Sequence, residues 1–240
     1  MFDVLFEVSS SKNPFIAYSM VHLITIFILL LGIVLLFVFR KKLNEILTRW
    51  IFVSVIIFFE IGYHTWLVSH NLWDPSHALP LQLCSVSLIL CIILLLTNKK
   101  IIFEIVYFIG IAGAIQAILT PELFYNFPHF RFLHFFVNHC LIIWTCLFYV
   151  WSVGYRIQFA SIFKSLVFLQ IVAFIAFLTN IITGGNYMFL AGKPKTSSAL
   201  DFLGDYPWYI LSLEFIALIL FFILYLPFAK GTKKNKASTD

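Results

Sequence analysis

Cys84 is the residue of this chain best placed for nucleophilic chemistry. It follows Leu79-Pro80-Leu81-Gln82-Leu83 at the opening of a long apolar segment. A helix begun near Leu79 would put it about five residues in, roughly 8 Å below the helix end. That is near the depth of lipid ester carbonyls. A thiol close to a helix N-terminus is favoured as the thiolate, the nucleophilic form, and a histidine within reach would complete a Cys–His pair. His134 and His139 are the candidates, in the run Pro128-His129-Phe130-Arg131-Phe132-Leu133-His134 followed by Asn138-His139. His134 shares a helical face with Asn138. His139 points about 140° away from His134, so at most one of the two should face a narrow cavity. Against the catalytic reading stands a plainer one, in which cysteines at membrane depth are small packing residues. Cys91, Cys140 and Cys146 are assigned to packing, and no disulfide framework is expected.

Other polar residues share that half of the chain's membrane plan. Six of the seven histidines are placed there, together with Glu60, Gln82, Gln116, Asn138, Asn180, Asn186 and Glu214. Polar side chains at membrane depth are expensive and normally face a bundle interior or a wet cavity, so a one-sided cluster marks a site. Glu60 and His64 lie four residues apart on one helical face; the carboxyl, near mid-bilayer, is expected to be protonated or paired with a partner such as His64. A polar clasp between helices is the competing account. The sequence has no HExxH, no glycine-rich phosphate loop and no GxSxG. No metal site and no soluble cofactor are expected.

The elements that must position these residues are membrane helices. With 240 residues, 62% of them hydrophobic and only 11% charged, and a mean hydropathy of +0.99, an ordinary soluble domain is excluded. The fold expected is all-α, a bundle of seven transmembrane helices at about 16–39, 49–69, 79–97, 101–119, 132–151, 159–182 and 207–228. Residues 1–229 would form one transmembrane domain and 230–240 a basic cytoplasmic tail. Asn13-Pro14 reads as a cap and first-turn proline for the first helix. Twelve of the 16 Lys and Arg residues fall in the alternate loops that include the C-terminus, against four on the other side. The positive-inside rule then places the N-terminus outside and the C-terminus in the cytoplasm. The net charge of +5 is concentrated in the tail lysines Lys230, Lys233, Lys234 and Lys236. Those lysines suit anionic headgroups rather than nucleic acid. The longest connection, 183–206, carries Tyr187, Met188, Phe189 and Leu190 and is expected to fold back over the bundle.

Three motifs together carry a resemblance. LPLQLCS, FPHFRFLHFFVNHCLI and GGNYMFLAGKPKTSSALDFLGDYPWYI resemble the bacterial YwaF-type membrane proteins over nearly the whole chain. More distantly they are similar to a eukaryotic seven-span family of cysteine-dependent phospholipid acyltransferases. The resemblance implies an acyl-cysteine mechanism with Cys84 as nucleophile and His139 as base.

The function expected is therefore a membrane-embedded lipid acyltransferase or ester hydrolase at the outer leaflet of a bacterial plasma membrane, acting on membrane phospholipids. Gln82, Asn138 or Asn180 would donate to the oxyanion, and Glu60 with His64 would orient neighbours. The 183–206 loop, with Asn186, Lys193 and Asp201, would lid the site, Lys193 meeting the lipid phosphate. Two other classes compete. A small-solute or ion transporter would depend on Glu60, His64 and Glu214, with Glu104 and Lys164 as the inner gate. A non-catalytic partner of another membrane protein would leave the polar cluster without a purpose.

Overall fold

The computed structural model describes residues 5–9, 13–194 and 199–229; the basic tail 230–240 lies outside the described residues. The chain is all-helical: α1 (Met20–Phe39), α2 (Glu45–Ser69), α3 (Leu83–Thr97), α4 (Lys100–Leu119), α5 (Phe130–Phe148), α6 (Phe159–Thr183) and α7 (Trp208–Ala229). Among the described residues there is no strand, only an isolated bridge between Pro14 and Tyr125. Six of these helices are long and apolar enough to cross a membrane, and α3 is apolar but has 15 residues. At about 1.5 Å per residue α3 is roughly 22 Å long, short of a hydrocarbon core of about 30 Å.

The shortness of α3 corrects the expected start near Leu79. Pro80 disfavours helical geometry at Leu79, the Leu81 amide turns back to the Leu79 carbonyl at 2.8 Å, and Gln82 becomes the extended N-cap. Cys84 is thus in the first turn of α3, not five residues down. The first helix also begins later than its sequence suggests. Asn13-Pro14 caps nothing. The segment lies along the α4–α5 connection, with the Phe15 amide donating to Phe124 and that of Asn126 to Asn13, and α1 starts after Ser19. The boundary between α3 and α4 holds where placed. Asn98 takes the left-handed conformation (φ 54°) that ends a helix, and Lys99 starts the next.

Helices α4 and α5 form the centre. α4 packs against α3, α5, α6 and α7, and α1 packs on α5. Small residues allow the close approach. A Cβ on Gly110 would come within 2.9 Å of Ile142 on α5, and one on Gly113 within 3.2 Å of Leu83 on α3. The connection between α6 and α7 does fold back: Tyr187 is fully buried, its hydroxyl donating to the Pro75 carbonyl at 2.6 Å and accepting from the Leu79 amide at 3.0 Å.

Candidate functional site

A cavity of about 590 Å³ opens between α2 to α7, lined by Cys84, His134, His139, Glu60, His64, Gln82 and Asn138 among others. That volume lies within the range of small-ligand sites. The non-helical stretch before α3 supplies part of the wall through Ala78, Leu79 and Pro80. Irregular backbone at membrane depth is tolerated where it is buried in protein or lines a cavity. Breaking the helix there brings the first turn of α3, with Cys84, to the cavity wall. Cys84 is a free, partly exposed cysteine, and its sulfur would lie 3.9 Å from a Cβ on Gly113.

His139 has its tautomer fixed by its own helix. Nδ1 lies 2.6 Å from the Phe135 carbonyl. A carbonyl only accepts, so Nδ1 carries the proton and Nε2 holds the lone pair. Nε2 makes no hydrogen bond among the described residues, and the ring packs on Phe135 at 4.3 Å. No hydrogen bond joins Cys84 to His139; in unliganded enzymes such contacts are often long and tighten with substrate.

His134 has a different environment. Its Nδ1 is 3.0 Å from Arg131 Nη1 and its Nε2 is 2.9 Å from Glu60 Oε1. Arginine only donates, so Nδ1 accepts and Nε2 donates to the carboxylate. Asn138 donates to the same Glu60 oxygen at 2.8 Å. Both nitrogens of His134 are engaged, which leaves no lone pair for a base. The expectation that only one of the two histidines faces a cavity is corrected: both line it, because the cavity is wide and reaches across α5. The pairing of Glu60 with His64 is corrected too. Glu60 turns across the α2–α5 interface to His134 and Asn138, and His64 touches Tyr63 ring to ring at 5.4 Å.

The remaining expected residues divide clearly. Gln82 lines the cavity, and its Oε1 accepts from the Met188 amide at 2.9 Å. Asn180 does not reach the cavity. It clamps Tyr187, accepting from its amide at 2.7 Å and donating to its carbonyl at 3.1 Å. Asn186 staples its own loop through Gly192 and Ala191. Lys193 sits over the Tyr209 ring at 5.8 Å and does not line the cavity, nor does Asp201; the loop meets it instead with Met188, Phe189, Leu190, Pro194 and Leu200. Sequence reasoning missed Arg131 and Tyr63. Both line the cavity, with the guanidinium 4.2 Å from the Tyr63 ring centre. The signal was available: Arg131 lies one helical turn before His134 on the same face.

Helices long and apolar enough for a bilayer, around a cavity walled by irregular backbone and polar side chains, define a multi-pass membrane protein with an internal site. The profile of the TMEM164 family matches residues 17–225, and the chain belongs to that family. It is a eukaryotic multi-pass membrane family, and the match does not show the link to bacterial YwaF-type proteins expected from the motifs. No curated protein and no solved structure matches the chain.

Proposed function

We propose that the protein transfers or hydrolyses lipid acyl groups through an acyl-cysteine intermediate, with Cys84 as nucleophile and His139 as base. One observation carries this reading: the thiol shares its cavity with a histidine whose free nitrogen is the proton-accepting one. His139 Nε2 takes the Cys84 proton, and the thiolate attacks the ester carbonyl of a membrane lipid. The tetrahedral adduct collapses as His139 returns the proton to the leaving alkoxide, which departs as the lyso alcohol. The thioester is then attacked by a lipid hydroxyl or by water, whose proton passes to His139, and the thiol is restored. Splitting the reaction this way replaces one difficult step by two easier ones. The Gln82 amide nitrogen, which has no hydrogen-bond partner among the described residues, is the donor best suited to the oxyanion. The apolar walls contributed by Leu169, Ala173, Ala217 and Leu220 suit the acyl chain. The distribution of Lys and Arg supports a cavity opening to the outer leaflet, and the motif resemblance supports a bacterial plasma membrane.

The test is intact-protein mass spectrometry after incubation with acyl-labelled phospholipid. An adduct of one acyl group, absent in Cys84→Ala, is expected. No adduct, together with unchanged lipid turnover in Cys84→Ala, would end the proposal.

A further inference from the structure

Arg131 is the one Lys or Arg among the described residues that line the cavity. A guanidinium in such a place normally has a carboxylate beside it. Here no carboxylate lies within ion-pair distance of it among the described residues. Its contacts are His134 Nδ1 at 3.0 Å and the face of Tyr63 at 4.2 Å. Those two contacts hold the group in place while engaging one of its five donors. The carboxylates that line the same cavity are occupied elsewhere. Glu60 accepts hydrogen bonds from His134 and Asn138, Glu214 accepts from Gln170 at 2.6 Å, and Glu122 has a partner of its own. What remains is a fixed cation with spare donors at the cavity wall.

We propose that Arg131 receives the phosphate of a phosphate-bearing lipid whose acyl chain lies along the α6–α7 wall of the cavity. This rests on reading the cavity as a lipid site, and it moves the headgroup contact from Lys193, which lies on Tyr209, to Arg131. A planar guanidinium matches phosphate geometry with paired N–H donors. The stack on Tyr63 fixes its plane, so little side-chain freedom is lost on binding. Arg131 and Cys84 line one cavity, so a lipid held by its phosphate at Arg131 can present an ester to the thiol.

The experiment is equilibrium binding to the full-length protein in neutral detergent micelles. The probes are oleoyl lysophosphatidate, monooleoylglycerol and inorganic phosphate; the first two share chain and glycerol and differ by the phosphate. A preference of at least about tenfold for the lysophosphatidate is expected, as for a gained hydrogen-bonded charge pair. Arg131→Gln should erase that preference and leave monooleoylglycerol binding unchanged, Arg131→Lys should keep part of it, and Lys193→Gln should keep all of it. Equal affinities in the wild-type protein would overturn the assignment, as would a preference that survives Arg131→Gln or disappears in Lys193→Gln. Inorganic phosphate competing at concentrations comparable to lysophosphatidate would overturn the lipid headgroup as its source. Binding does not need the thiol. A preference intact in Cys84→Ala, with no acyl adduct on the wild-type protein and lipid turnover unchanged in Cys84→Ala, would therefore sink the acyl-transfer reading and leave this one standing.

Discussion

The two ends of the bundle treat polar groups in opposite ways. Where α3 stops and α4 starts, they are consumed by structure. Glu104, 4% exposed, holds Lys164 at 2.6 Å, and Ser165 donates to the Glu104 carbonyl at 3.1 Å. The Tyr149 hydroxyl bridges the Leu94 carbonyl at 2.9 Å and the Asn98 side chain at 2.6 Å. Where α3 begins, polar groups gather around a cavity and several are left unspent: the Cys84 thiol, His139 Nε2, the Gln82 amide nitrogen and most of the Arg131 guanidinium. Thr145 and Ser152, with unpartnered buried hydroxyls, are exceptions at the closed side. In a bilayer a polar group satisfied by its neighbours holds helices together. One left unsatisfied beside a cavity is free to meet a ligand. Glu104 and Lys164, expected as the inner gate of a transport path, are paired with one another in this structure.

Substitutions at the two ends should therefore fail in different assays. The largest effect is expected for His139→Ala. Loss of the base should lower the rate of Cys84 acylation by about 10²- to 10⁴-fold, measured as adduct formation over time, while the thermal midpoint moves little. His134→Gln should leave acylation far closer to wild type, because both His134 nitrogens are already committed. Equal losses for the two variants would erase the distinction between a base and a clasp.

At the closed end the readout reverses. Lys164→Ala strands the Glu104 carboxyl, and a cost of roughly 3 kcal/mol is expected, the low end for a broken buried pair because Lys164 itself is half-exposed. Thermal unfolding in detergent should fall accordingly, with the adduct rate of the folded fraction unchanged. Tyr149→Phe removes the one hydroxyl hydrogen shared between the Leu94 carbonyl and Asn98 Oδ1 without opening a cavity and should cost about 1 kcal/mol, again with acylation intact.

How much of this was legible in the sequence depends on the range of the forces involved. The apolar runs gave the helices because a bilayer imposes a length that hydropathy reports directly. The αL stop at Asn98 was visible in Thr97-Asn98-Lys99-Lys100 for the same local reason. The start of α3 was misjudged although Pro80 marked it, since the apolar run continues through the break and masks the turn. The partner of Glu60 could not be read at all: one-helix geometry favoured His64, and the choice of His134 and Asn138 was made by packing α2 on α5. Asn180 and Asn186 looked like site residues because an amide that clamps a loop and one that binds a ligand carry the same sequence signature. Arg131 was counted as a loop charge, and only the cavity shows that it is held in place with donors to spare.

The smallest effect tests whether the open end is tied to the segment that precedes α1. His129 caps α5, its Nδ1 accepting from the Arg131 amide at 3.0 Å while Nε2 lies 2.8 Å from the Glu7 carbonyl. That pair of bonds requires a neutral ring, since one nitrogen must accept while the other donates. Burial, helped by the charge of Arg131 and opposed by the bond to the Glu7 carbonyl, holds its pKa below the usual 6.5. A histidine kept neutral in the folded state contributes stability that is complete above about pH 6.5 and is lost as pH falls through the lowered folded value. The thermal midpoint should therefore decline between about pH 7 and pH 5. His129→Asn preserves a side-chain acceptor at the cap but cannot titrate, so it should flatten that decline. A slope unchanged in His129→Asn would place the acid sensitivity elsewhere and remove the cap from the list of contacts that hold the open end in shape.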